Sequence, residues 1–200
     1  MLSESADQAT KFLARLEEVL PSRGRVLVLP HNYPDPDALA SAAGMVLLLK
    51  RRFNLKGEIL FTGTVSRAEN RELLRQFRYT WRLTARMSRS AGVLPCVLVD
   101  TSPWSGNVTI PEGICPIAVV DHHPPRRKPP MKKDMVLDIR SGAGATSTQV
   151  YDYLEVSEIV IPKWLCTIMA YAVASETLDL SRDCTDRDLE VYVRLLARAN

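Results

Sequence analysis

The sequence predicts an α/β protein: a doubly wound, mainly parallel five-stranded sheet with helices on both faces. Three observations predict it. Short runs that are apolar throughout, such as Val26-Leu27-Val28-Leu29 and Ile117-Ala118-Val119-Val120, read as strands buried on both sides. Longer segments with apolar residues at helical spacing alternate with them. The turns after three of the strands gather His and Asp, and in an open parallel sheet ligands bind outside the carboxyl ends of the strands.

Each element has its own signal. Ala9, Phe12, Leu13, Leu16, Val19 and Leu20 lie at helical spacing over 5–20, and Pro21 and Gly24 end that helix. Residues 25–30 form the first strand. The next helix, 37–52, carries the small residues Ala38, Ala40, Ser41, Ala42, Ala43 and Gly44, which allow close approach to the sheet. A second strand at 58–62 leads to a charged helix from Arg67 to Phe77. Residues 78–92 read as an irregular connection with a short helix. Strands at 96–100, 116–120 and 135–139 follow, then helices over 145–155, 162–175 and 185–199.

Composition narrows the class. Two hundred residues suit a single domain, 1–200, with the last helix as a candidate linker to a further domain. A net charge of +3 is too weak to argue for nucleic acid by itself. Cys96, Cys115, Cys166 and Cys184 show no Cys-x-x-Cys spacing, and Cys96 and Cys166 read as core thiols. A reduced, cytoplasmic protein is expected. The polar, acidic N-terminus does not resemble a secretory signal, and no apolar run is long enough to cross a bilayer.

The chemistry concentrates in His31-Asn32-Tyr33-Pro34-Asp35-Pro36-Asp37, in Val99-Asp100, and in Asp121-His122-His123. All three histidines of the chain lie just after predicted strands, beside aspartates. Taken one at a time, each His reads as a surface-loop residue and each Asp as a helix cap. As a set they read as a site. The donors are carboxylates and imidazoles without thiolates, which suits Mn²⁺ or Mg²⁺ better than structural zinc. So many acids in one cleft repel each other unless cations are present, so more than one divalent ion is expected. Two such ions about 3.5–4 Å apart clamp the attacking and leaving oxygens of a phosphoryl centre.

The motifs His-Asn-Tyr-Pro-Asp-Pro-Asp-Ala, Val-Asp-Thr and Val-Val-Asp-His-His-Pro, with Gly-Ala-Thr-Ser at 144–147, resemble the DHH phosphoesterase superfamily over nearly the whole chain. That group includes RecJ-type exonucleases, nanoRNA and pAp phosphatases, cyclic-dinucleotide phosphodiesterases and family II inorganic pyrophosphatases. The resemblance implies that His31, Asp35 and Asp37 divide between two metal ions, that Asp100 bridges both, and that His122 is a ligand. It makes His123 a contact of the phosphate or a support of the site, and Asp121 a residue that orients the site. The family's fourth metal motif usually reads Thr-Asp-Thr-Gly after an apolar helix. Here Glu176 stands at the acid position, with Asp179 nearby. Pro36 replaces the Gly usual between the first-motif acids.

The resemblance implies two divalent ions, Mn²⁺ preferred and Mg²⁺ allowed. The substrate it implies is a phosphoester of a short oligonucleotide, a dinucleotide or a nucleotide, with no membrane partner; a homodimer stays open. The second, substrate-holding domain of many members has no counterpart in this sequence and is expected as a missing C-terminal domain. Glu176 and that departure keep a non-catalytic regulatory module as an alternative; a pyrophosphatase is another. Arg126 and Arg127, in the basic loop after the Asp-His-His, are substrate candidates beside the bland reading of a solvated loop. Arg67 and Asn70 are candidates too, against a capped surface helix. Tyr79 and Trp81 read as base-stacking or packing residues, and Thr146 and Ser147 as phosphate donors or caps.

Overall fold

The structure is a computed structural model that describes residues 2–65, 67–75, 81–83, 93–125 and 135–200. The apolar runs become strands because both their faces are closed. In chain order the elements are α1 (Leu2–Val19), β1 (Arg25–Leu29), α2 (Pro36–Arg52), β2 (Lys56–Phe61), α3 (Ala68–Arg75), β3 (Trp81–Leu83), β4 (Leu94–Val99), β5 (Ile114–Asp121), β6 (Val136–Ile139), α4 (Thr146–Val156), α5 (Lys163–Glu176) and α6 (Asp186–Leu196). The sheet order is β3-β2-β1-β4-β5-β6, with every pair parallel. The chain starts at the centre, moves out through β2 and β3, and returns to lay β4 beside β1. The strand order therefore reverses between β1 and β4, and a crevice opens there at their carboxyl ends.

The five expected strands are all present, and a sixth joins them. Trp81–Leu83 falls in the stretch that the sequence left irregular and pairs at the edge with Ile59, Leu60 and Phe61. An edge strand of three residues needs only backbone partners on one side, so it leaves no apolar run to read. The rest of that stretch, including Tyr79 and the side chain of Trp81, lies outside the described residues, as do Arg126 and Arg127.

Among the described residues the helices lie against one face of the sheet and the β4–β5 connection against the other. Val26, Val28, Ile59, Phe61, Val97, Val99, Ala118 and Val120 face a core shared with all six helices. Leu27, Leu29, Leu60, Leu98 and Val119 face the other way, where Trp104, Val108 and Ile110 pack against them. Over its described part that second face is covered by the β4–β5 connection, in which Pro103, Gly106, Pro111 and Gly113 punctuate the chain too often for a helix.

Two features of the helical layer set the site. Asp35 caps α2, its side chain accepting from the Ala38 amide, and Pro36 occupies the first turn, where its missing N–H costs nothing. Pro36 thus suits this turn. Gly44 lets α2 meet α4: a Cβ there would stand 2.6 Å from Val150 Cγ1. Behind β6, Arg140 donates to Asp138 and Asp152, and Arg187 donates to Asp152 and Glu155. Cys96 and Cys166 are buried free thiols. Among the described residues no helix is long and apolar enough to cross a membrane.

Candidate metal centre

Registered strands bring the three motifs to one level. Leu29 pairs with Leu98 and Val99 with Val120, and the Asp100 amide still donates to the Val120 carbonyl at 2.8 Å. His31 leaves β1, Asp100 leaves β4, and Asp121-His122-His123 ends β5. Asp100 turns out of the ladder with φ +57°, a left-handed conformation that is uncommon for a non-glycine residue and recurs at functional sites.

Asp100 is buried and its two oxygens face different partners. Oδ2 lies 3.6 Å from His31 Nε2, which is itself 3.4 Å from Asp35 Oδ2. Oδ1 lies 3.6 Å from His122 Nε2 and 3.6 Å from His123 Nδ1, and accepts the Thr146 hydroxyl at 2.9 Å. Two donor groups result, His31/Asp35/Asp100 and Asp100/His122/His123. In each the ligand atoms lie within 4.8 Å of one another.

The Asp-His-His triplet is braced from behind. His123 stands with its backbone amide and its Nδ1 on Asp121 Oδ1, at 3.0 and 2.9 Å. His122 Nδ1 meets the Ala143 carbonyl at 3.1 Å, in a turn fixed by the Arg140 amide donating to the Asp121 carbonyl. This directs His122 Nε2 into the cleft. It is buried, has no hydrogen-bond partner among the described residues, and lies 3.8 Å from Glu176 Oε1 at the end of α5. Glu176, not Asp179, is the acid brought in; Asp179 is exposed beyond the helix.

Asp37 is placed differently from a free ligand. Its two oxygens accept the Ser147 and Thr146 amides at the start of α4, at 2.8 and 2.7 Å. It therefore joins neither donor group, although each oxygen keeps a second lone pair. Thr146 and Ser147 are neither caps nor free phosphate donors: their amides and the Thr146 hydroxyl hold Asp37 and Asp100. These long-range tethers were missed in the sequence, where a Thr-Ser pair at a helix start signals only a cap.

The electrostatics are those of a cleft short of positive charge. Burial, then repulsion from Asp37 and Asp35, holds Asp100 well above the usual carboxylate range. Burial also raises Asp37, and burial with the charges of Asp37 and Asp35 raises Glu176. Burial opposes charge on His31, but its contacts with Asp35 and the charge of Asp100 prevail and push it up to about 9. The Asp121 contact raises His123 to about 9. Cations would relieve this repulsion, and the orphaned His122 Nε2 is a ready ligand atom. Donors sharing one ion at about 2.1 Å stand roughly 3.0–3.4 Å apart, and the nearest pairs here, at 3.4–3.6 Å, are close to that spacing. The donor set fits divalent ions.

Two cavities open on this centre. One, of about 280 Å³, is lined by Asp100, Trp104, Asp121 and His123. The other, of about 350 Å³, is lined by His31, Tyr33, Asp35, Arg67, Asn70 and Glu176 among others. Arg67 and Asn70 are thus brought to the site. A larger cavity beside Arg140 and Arg187 lies behind the centre, and its arginines are engaged by carboxylates.

The model of the DHH family, N-terminal domain, matches residues 25–174. The chain is similar to a probable manganese-dependent inorganic pyrophosphatase of Streptococcus thermophilus, 27% identical over 175 residues, which are 87% of this chain and 55% of the relative. It is similar to a protein of the same description from Streptococcus agalactiae, 25% identical over 162 residues, or 80% of this chain and 51% of that one. Among solved structures, a putative family II inorganic pyrophosphatase of Methanococcus jannaschii aligns with TM-score 0.61 and 22% identity over 87% of this chain and 56% of that chain. An exopolyphosphatase-related protein of Bacteroides fragilis aligns with TM-score 0.57 and 13% identity over 98% and 57%. These structural likenesses concern the fold, and the chain spans about half the length of the curated relatives it matches. With all three motifs inside the matched segment and converging at one end of the sheet, the chain belongs to the DHH family.

Proposed function

We propose that this chain is a metal-dependent phosphoester hydrolase built on two divalent ions, Mn²⁺ foremost and Mg²⁺ as substitute. The observation that carries the reading is Asp100, with one oxygen toward His31 and the other toward His122 and His123. His31, Asp35 and Asp100 would hold one ion. Asp100, His122, Glu176 and the free lone pairs of Asp37 would hold the other. Bound there, the ions supply an activated water and neutralise phosphoryl charge. Water adds to phosphorus, the P–O bond to the leaving group breaks, and the leaving oxygen takes a proton.

The chain's own groups do the positioning. Asp121 fixes His123 through Nδ1 and leaves Nε2 to face a phosphoryl oxygen. Arg67 supplies positive charge at the rim of the cleft, and Asn70 an amide. The substrate proposed is a phosphoester of a short oligonucleotide, a dinucleotide or a nucleotide, a reading that Arg67 at the cleft supports. Arg126 and Arg127 are proposed as further contacts from their sequence position alone. The named relatives favour a second reading, inorganic pyrophosphate. Hydrolysis of a linear dinucleotide and of pyrophosphate with Mn²⁺, beside Asp100→Asn, tests both. Turnover lost at least about a hundredfold in the variant is expected, since ligand and transition-state contacts are removed together. No Mn²⁺-dependent turnover of either compound would favour a non-catalytic module.

A further inference from the structure

Tyr33 is an unusual residue at an unusual place. It sits in the turn between His31 and Asp35, with 66% of its surface exposed and φ +55°. A bulky aromatic in the left-handed region is a backbone outlier that persists only where the surroundings impose it. They do so on both sides. The Tyr33 amide donates to the Thr62 carbonyl at 2.9 Å, and the Asn32 amide donates to the Asn107 carbonyl at 2.7 Å. The Asn32 side chain and Thr109 exchange two further hydrogen bonds, both 3.0 Å. The ring lies over Gly63, itself at φ +93°, where an added Cβ would stand 2.5 Å from Tyr33 Cδ1. Gly63 is thus a seat cut to the ring.

The seated ring forms one wall of the cleft of about 350 Å³ that also holds His31, Asp35, Glu176 and Arg67. That volume lies in the range of small-molecule sites. Across the cleft Asn70 is only 6% exposed, and its Oδ1 has no hydrogen-bond partner among the described residues. A buried amide oxygen left unpaired is a strong acceptor waiting for a donor.

We propose that Tyr33 is a nucleobase platform beside the metal centre, with Asn70 Oδ1 accepting from a ribose hydroxyl, so that the substrate is a nucleotide phosphoester. The proposal rests on the phosphoester reading above and names its substrate class. Pyrophosphate has no flat apolar group to gain from a preset exposed ring, whereas every base has a π-face that stacks on one. Arg67, at the same rim, is placed for a phosphate. A Tyr kept in strain for packing would be buried; this one is presented.

The test is titration calorimetry with Mn²⁺ present, using AMP and ribose 5-phosphate as probes that differ only by the base. The wild-type chain is expected to bind AMP about tenfold more tightly, the advantage ordinary for one stacked base. Tyr33→Ala should abolish the difference while leaving ribose 5-phosphate affinity unchanged, and Tyr33→Phe should keep it. Because Tyr33 is exposed, an unchanged melting temperature is expected and confirms that the variants fold. Equal affinities in the wild type, including no binding of either probe, overturn the platform, as does an AMP advantage that survives Tyr33→Ala. An AMP preference without Mn²⁺-dependent turnover of either a dinucleotide or pyrophosphate overturns the hydrolase reading and leaves the platform standing.

Discussion

At the scale of single residues, the centre depends on side chains that hold other side chains. Asp121 lines the cleft beside His123 and grips it by the backbone amide and by Nδ1. Asp121→Asn keeps the shape but changes an acceptor oxygen for an equivocal amide. The expected loss is about 10–100-fold in kcat/KM for phosphoester hydrolysis, the usual effect of removing a partner that orients a site imidazole. Thr146→Val removes the hydroxyl that donates to Asp100 Oδ1 and should weaken Mn²⁺ binding in calorimetry by about tenfold. His31, Asp35, Asp100 and His122 were legible in the sequence because acids and histidines cluster in the turns after apolar runs, and Glu176 only through the resemblance to the family's fourth motif. The ties of Thr146 to Asp100 and of Asp37 to the α4 amides were not. They join residues 46 and 109 positions apart, and nothing local announces them.

At the scale of elements, α2 and α4 position the acids by touching each other. Gly44 is the contact point, and its Cβ would collide with Val150 Cγ1. Gly44→Ala should lower stability by about 1 kcal/mol in urea unfolding, because overpacking costs about 1–3 and the helix regains roughly 1. Gly44→Ala with Val150→Ala should show favourable coupling, since the two residues share one space. The second joint is Asp152, which accepts from both Arg140 and Arg187. Asp152→Ala leaves two mostly buried guanidinium groups short of a partner and should cost about 3 kcal/mol or more. The helices were legible from their apolar spacing and the central strands from their unbroken apolar runs. The edge strand β3 was not, because backbone pairing alone makes it. The part of the β4–β5 connection on the sheet was not either, because a loop rich in Pro and Gly packs there through three scattered apolar side chains, Trp104, Val108 and Ile110.

At the scale of the whole molecule, the fold is a scaffold that brings uncompensated negative charge to the reversal point of a parallel sheet. Such a cleft should be stabilised by what fills it. Mn²⁺ at a hundred times its Kd should add about 2.7 kcal/mol per site to the folded state, raising Tm by several degrees, with EDTA reversing the shift. The measurement that tests the central claim most directly is the stoichiometry of Mn²⁺ binding by calorimetry on the wild-type chain and on Asp100→Asn. Two ions per wild-type chain, with both sites weakened together in the variant, is the predicted result, because one carboxylate serves both donor groups. A wild-type chain that binds one ion or none, or a variant that keeps two at unchanged affinity, would contradict it.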